Sequence, residues 1–573
     1  MLVVLALALR LYRLDARSLW LDEILTSQPA HLRNPGDVIA WSQAAINQMP
    51  LFYMFTWFLG HWSDGAVMLR LPATIAGTIL APVVFLLGRS LFGTLVGLVA
   101  GLLVAIMPFA VWYSQEARSY TLLMLLTTLQ MYFALAAVKR GGVLTWLGLA
   151  SLTILNLYTH YVAIFATVAV ASFVGLFLLI ELLRGAPLRV KSASVVSIAL
   201  AAGAAISAVA VVRSHRAVAI AAAGAAVMLV AVPLVVLATR QPAAEKVRRI
   251  APAVLAGGIV AVAYAPWLTS LRILLRRPDQ TLGQINVGHA PNIGDLANTL
   301  NGLGLTGIVL AFLCLGLGAT AVWAFHGKAI EAGLVLAWIC VPLGILLITA
   351  GRAILAVDVR YIAFLFPAAM IAVGAGVQAA AIGLPILATR LRLSPTPRTR
   401  WTTPAVGLVA VALLLVQVLP ALAASYGQSK DDYRHVARHI TAASAPGSIV
   451  LTVGNYSDWT VICLGYYFRE LGSPVTVVDA RQADSALVQQ LTYSSGTVWG
   501  VVIFASNDQL ALMASSGSEK VDFVDVTGNI RVVRAADANL SPVQQAWTLL
   551  RWELPLEPAL KDSLSRMGSP PTQ

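Results

Sequence analysis

Residues 94–120 read TLVGLVAGLLVAIMPFAVWYSQEARSY. The first twenty of them, Thr94 to Tyr113, hold no charged side chain, and as a helix they are long enough to cross a hydrocarbon core about 30 Å thick. Glu116, Arg118 and Tyr120 follow at once, with Tyr113 closing the run. Both features recur along the chain: long apolar runs, and compact polar groups at their ends.

Working outward, comparable runs lie near 1–14 (short), 70–88, 119–138, 144–159, 161–183, 193–212, 217–239, 250–271, 302–325, 329–350, 361–388 and 403–424, which with 94–113 makes thirteen. Of the 573 residues 58% are hydrophobic and 11% charged, whereas soluble domains carry about 25% charged residues. Lipid is therefore the main solvent. Pro50 to Trp62 is apolar and aromatic but short, and reads as a helix lying at the interface. The start, Met1 to Leu9, lacks a basic region and a small-residue cleavage site, so it reads as a helix that stays, and it leaves open whether the chain begins further upstream.

The formal net charge of +13 is spread as short clusters between apolar runs, which is topological information rather than a nucleic-acid stripe. With the N-terminus inside, the inner loops hold Arg89, then Lys139 and Arg140, then Arg184, Arg189 and Lys191, then Arg240, Lys246, Arg248 and Arg249, then Arg390, Arg392, Arg398 and Arg400. The outer side receives a first loop from Leu14 to Leu69, the loop Arg272 to Leu300, the link Gly351 to Arg360, and everything after Ser425. The expected organisation is a membrane module over 1–425, including the extracytoplasmic loop 14–69, and an extracytoplasmic domain over 426–573.

That last region reads as a small α/β domain: an amphipathic stretch from Lys430 to Ile440, then β-rich runs Ile449 to Val453, Val475 to Val478, Val498 to Phe504 and Val521 to Val526, with helical stretches between. It carries no phosphate-cradling glycine loop, triad spacing or metal-ligand spacing. Cys314, Cys340 and Cys463 are too few and too scattered for a disulfide framework or a metal cluster.

The polar groups at the outer ends of the runs are the candidate site. Asp22 and Glu23 follow the first helix in Arg17-Ser18-Leu19-Trp20-Leu21-Asp22-Glu23, and adjacent carboxylates near hydrocarbon repel each other, which suits one of them to act as a base. A solvated acid pair is the plain alternative. Arg118, with Glu116 to orient it and Tyr120 beside it, can grip a phosphate by two parallel hydrogen bonds; the plain alternative is an ion pair that locks two helices. His160 and the Asp358, Arg360 and Tyr361 group fall at further outer ends. A charge at the bilayer centre costs about 2.5–3.5 kcal/mol, so such a gathering suggests a shared polar cavity, although Arg360 could also snorkel to the headgroups.

These residues resemble a known family, the GT-C type membrane glycosyltransferases, which include protein O-mannosyltransferases (glycosyltransferase family 39) and the lipid A aminoarabinose transferases. The likeness rests on Leu19-Trp20-Leu21-Asp22-Glu23, the Pro-Leu-Phe-Tyr run at Pro50, Arg70-Leu71-Pro72, Tyr113 to Tyr120 and Arg360-Tyr361, and covers roughly residues 1–425. It implies a polytopic α-helical fold of about thirteen spans with a small C-terminal α/β domain, in a bacterial cytoplasmic membrane with the active site outside. It also implies a hexosyl- or pentosyltransferase that uses a polyprenyl-phosphate-linked sugar, inverts the anomeric carbon, and employs Asp22 as base with Glu23 its neighbour. Arg118, Arg360, His160 and Tyr120 would face the donor phosphate, supported by Glu116, Tyr361 and Asp358.

The expected partners are that donor, an extracytoplasmic acceptor that is a protein, a glycan or a lipid, and membrane lipids, with no nucleic acid. No metal ligand and no cofactor is assigned, while a divalent metal stays open. Where relatives often open the interfacial helix with His-Pro-Pro or Lys-Pro, this chain has Asn47-Gln48-Met49-Pro50. Adjacent carboxylates cannot flank a sugar from opposite sides as the two acids of a glycosidase do, so a single displacement is the expected chemistry. The rival readings are a polytopic transporter or lipid flippase, opposed by the lack of an internal repeat, and a non-catalytic scaffold.

Overall fold

The computed structural model describes residues 1–44, 48–63, 65–183, 243–268, 270, 292–350, 357–390, 399–428, 430–453, 457–479, 496–503, 521–527, 530–535 and 541–550. Two compact units emerge: one from Met1–Tyr12, Leu32–Phe58 and Arg70–Ser425, the other from Arg13–His31, Leu59–Leu69 and Tyr426–Gln573.

In the first unit, eight helices among the described residues are long and apolar enough to cross a membrane: Ala66–Phe92, Tyr120–Arg140, Ala163–Glu181, Ile250–Trp267, Gly307–Phe325, Ala329–Ile348, Val359–Ala388 and Pro404–Ser425. The run at 94–113 is a ninth, but broken, with Thr94–Ile106 and Pro108–Ser114 bent by 54°. The runs at 1–14 and 144–159 form shorter apolar helices, Leu2–Leu11 and Val143–Leu157, and the stretch Pro50 to Trp62 holds a third, Leu51–Gly60. The expected spans 193–212 and 217–239 lie outside the described residues, so the count of thirteen is not reached among those described.

The break at 107–108 follows from proline chemistry. Pro108 offers no N–H to the Val104 carbonyl and pushes Met107 out of the helical region, to φ −63° and ψ 131°. Released carbonyls are intolerable in lipid unless something else reaches them. Arg10, fully buried on Leu2–Leu11, supplies the donors: Nη2 to the Val104 carbonyl at 3.0 Å, Nη1 to the Ala105 carbonyl at 3.1 Å, and Nε to Ser114 Oγ at 2.9 Å. One arginine thus ties the first helix to both halves of the broken one. Elsewhere the bundle closes through small residues: Gly307–Phe325 lies against Phe366–Arg390 where Gly316 meets the backbone of Ala372 and Gly376, leaving no room for a Cβ.

The second unit holds a five-stranded sheet, from β1 (Ile449–Val453), β2 (Thr476–Asp479), β3 (Val498–Ile503), β4 (Val521–Thr527) and β5 (Ile530–Ala535), in the order β2-β1-β3-β5-β4. The first three strands are parallel, with Ile449 opposite both Thr476 and Val498; β5 is antiparallel to β3 and β4. Helices Tyr433–Ala443, Ser457–Glu470 and Pro542–Leu550 accompany it, and Val450, Leu451, Val498, Val501 and Val532 form its buried centre. The fifth strand is not among the runs read from the sequence. Its signal was Ile530 and Val532 alternating with Arg531, just after the hairpin-prone pair Gly528-Asn529.

Candidate active site

Within the first unit the polar loop after the broken helix is fixed from below. Gln115 Nε2 donates to the carbonyls of Arg10 and Tyr12 at 2.9 and 2.7 Å, and the Arg118 N–H donates to the Glu116 carbonyl at 2.7 Å, closing a tight turn. Glu116 is buried and Arg118 half-buried. Arg118 Nη1 donates to Tyr53 Oη at 3.1 Å. Tyr53 sits on Leu51–Gly60, whose first residue donates its N–H to the Tyr158 carbonyl at 2.9 Å, so the short apolar helix both carries the phenol and is anchored to the bundle.

A chain of rings leads away from this loop. Tyr113 and Tyr120 lie 5.2 Å apart, Tyr120 and His160 5.7 Å, and His160 and Tyr361 5.9 Å, measured between centroids. The Arg360 guanidinium stands 5.4 Å from the Tyr361 ring centroid, and its Nε is 2.6 Å from Asp358 Oδ2. Asp358 also accepts the Arg360 N–H at 3.1 Å, capping the turn of helix Val359–Leu365 that aims the arginine. Arg118, Tyr120, His160, Arg360 and Tyr361, with Glu116 and Asp358 behind them, are therefore brought into one neighbourhood from three separate parts of the chain.

His160 reports on that neighbourhood. Its imidazole is buried, and burial first, then the charges of Arg118 and Arg360, lower its pKa to about 3. It is neutral at any physiological pH. Its Nδ1 accepts the Val162 N–H at 3.3 Å, so the ring proton resides on Nε2, which is left to donate. A neutral donor that feels two guanidiniums and touches the rings of Tyr120 and Tyr361 suits an anion with several oxygens.

Asp22 and Glu23 belong to the second unit, in the first turn of helix Leu21–Ser27, where carboxylates favour the helix dipole. Successive helical positions point apart, and the two acids differ accordingly: Glu23 is 2% exposed while Asp22 is partly exposed. Asp22 is thus the more accessible of the two. Among the described residues no group of three His, Cys, Asp or Glu side chains is placed to hold a metal ion. Arg10, Gln115 and Tyr53 escaped the sequence reading as site-supporting residues. Arg10 had left a signal, a charge in an otherwise apolar run.

No protein-family model and no curated protein matches the chain. Solved structures do. The archaeal oligosaccharyltransferase AglB from Archaeoglobus fulgidus, in complex with an inhibitory peptide and a dolichol-phosphate, is 11% identical, with 88% of this chain and 69% of that chain covered at a TM-score of 0.50. ArnT from Cupriavidus metallidurans, bound to undecaprenyl phosphate, is 14% identical over 94% of this chain and 98% of that one, at a TM-score of 0.48. The chain is a multi-pass membrane protein with a fold of the GT-C type seen in membrane glycosyltransferases.

Proposed function

We propose that this protein is an inverting glycosyltransferase of the bacterial cytoplasmic membrane, which moves a hexose or pentose from a polyprenyl phosphate to an acceptor hydroxyl on the outer side. The gathering of Tyr120, from the turn that carries Arg118, and of Tyr361, beside Arg360, around the buried His160 is the observation that carries this reading. It is a seat for an anion at the end of an apolar bundle, where a lipid-linked phosphate would enter. The GT-C fold supports it, and the placement of the basic clusters favours this end as the outer one.

Phosphate is already a competent leaving group, so the protein needs to supply a base and positive charge. The acceptor O–H gives its proton to the Asp22 carboxylate while its oxygen forms the new bond to the anomeric carbon. The bond from that carbon to the phosphate oxygen breaks, and its electron pair leaves with the polyprenyl phosphate. Arg118 and Arg360 offset the charge that develops there, with His160 Nε2–H and Tyr120 as neutral donors and Tyr361 beside them. Glu116 and Asp358 orient the arginines, and Glu23 lies next to the base. Attack from the face opposite the phosphate inverts the centre. Residues 1–425 would form the catalytic module and 426–573 an outer domain.

The test is to incubate the purified protein in liposomes with a panel of radiolabelled undecaprenyl-phosphate hexoses and pentoses plus envelope extract as acceptor source. Release of free lipid phosphate with at least one donor is expected. Absence of release with every donor, together with movement of intact donor across the bilayer, would instead establish a flippase.

A further inference from the structure

The second unit shows how the loop that carries Asp22 is held. Tyr467, 1% exposed on helix Ser457–Glu470, accepts the Leu19 N–H at Oη over 2.6 Å, and its hydroxyl lies 3.1 Å from Ser18 Oγ. Ser18 Oγ in turn accepts the Arg434 N–H at 3.2 Å. The Arg434 side chain reaches the Asp15 carbonyl at 3.1 Å and its Oδ1 at 3.3 Å. Lys430 Nζ stands 3.6 Å from the centroid of Trp20, the residue that caps helix Leu21–Ser27. Asp15, Ser18, Leu19 and Trp20, the approach to Asp22, are thus each gripped by a residue more than 400 positions later.

The grip extends past the loop. Helix Leu21–Ser27 packs on Ser457–Glu470. Cys463 and Tyr467 share one face of the latter, four residues apart. The buried Cys463 thiol is pushed up by burial first, with Asp431 and then Asp22 adding to it, which puts the Asp22 carboxylate within electrostatic reach of that face. The Tyr467 phenol is also raised by burial and stays protonated. Tyr467 Oη can therefore accept from the Leu19 N–H and from Ser18 Oγ–H while its own proton goes to the Leu19 carbonyl at 3.3 Å.

We propose that the C-terminal domain acts in the reaction as the clamp that sets the Asp22 helix, with Tyr467 as the positioning residue and Lys430 and Arg434 as its flanking contacts. The inference rests on the reading of Asp22 as the base. A short helix of seven residues at the end of an extended segment has little intrinsic stability. Its first turn needs outside contacts to hold a carboxylate within a fraction of an ångström, and a displacement of about 1 Å can cost a hundredfold in rate. A domain without a catalytic motif of its own gains a role by this means.

The decisive variant is Tyr467→Phe, which keeps the ring and removes the hydroxyl. Two readouts separate this proposal from the one beneath it. In hydrogen–deuterium exchange on the full-length protein, the peptide containing Leu19 should exchange at least tenfold faster in Tyr467→Phe, and unchanged protection of Leu19 overturns the clamp whatever the activity. In the liposome assay, kcat should fall about ten- to a hundredfold with donor KM unchanged, and Tyr467→Phe should add nothing to Asp22→Asn. A full additional loss in the Asp22→Asn background, or a loss seen in donor KM alone, overturns it as well. Lys430→Ala, a change at a partly exposed side chain, should show the same pattern more weakly, and Arg469→Ala on the outward face of the same helix should match the wild type in both readouts.

Discussion

The seat around His160 and the loop around Asp22 solve opposite problems. Arg118, His160 and Arg360 emerge from the ends of long helices whose places are set by apolar packing. Their difficulty is charge in a poorly solvated place, met by close partners: Asp358 on Arg360, Tyr53 on Arg118, and a histidine that stays neutral. Asp22 has access to solvent, but it rides on a short helix after a loop. Its difficulty is position, met just before it by the Leu19 N–H donating to Tyr467 and by the Arg434 N–H donating to Ser18 Oγ. A buried bundle places residues for little added cost and charges heavily for ions; a surface loop does the reverse.

The contrast can be broken at either end. Asp22→Asn has the largest expected effect, a loss of transfer on the order of 10²–10⁴-fold with binding of undecaprenyl phosphate retained. A variant that still turns over would remove the base assignment. Arg10→Leu comes next. It strips the donors from the Val104 and Ala105 carbonyls at the helix break, and a loss of about 2–4 kcal/mol is expected from leaving such groups unsatisfied in the bundle. Thermal unfolding in detergent measures it, and a midpoint equal to wild type would show that the break is held by other means. Arg118→Ala should weaken undecaprenyl phosphate binding about ten- to a hundredfold, the worth of a charge-assisted hydrogen bond. Equal weakening by Arg390→Ala, at an exposed helix end, would count against a specific phosphate contact.

The smallest effect tests the electrostatics of the seat. His160 has a folded pKa of about 3 against an ordinary 6.5. Between those values the unfolded chain binds the proton and the folded one does not, so stability is full above pH 6.5 and declines as pH falls toward 3. The thermal midpoint should drop between pH 7 and pH 5, and drop less in His160→Gln. Identical slopes in the two proteins would mean that the imidazole is not held neutral.

Much of the bundle was legible in the residues alone. The run Thr94 to Tyr113, the clusters of arginine between runs and four of the five strands follow from local composition and period, because solvation by lipid or by water acts on each segment independently of the others. Arg118, His160 and Arg360 could each be singled out as costly polar residues at helix ends. That they converge could not be read, since it depends on how helices distant in sequence pack, and packing is decided by side-chain shape across the whole bundle. The same holds for Arg10 at the break and for Tyr467 on Leu19, one a partner of carbonyls 94 and 95 residues away and the other of an amide 448 residues away. Local pattern set which segments enter lipid; only the folded chain settled which donors meet which acceptors, because a hydrogen bond needs its two atoms about 3 Å apart and sequence carries no such distance.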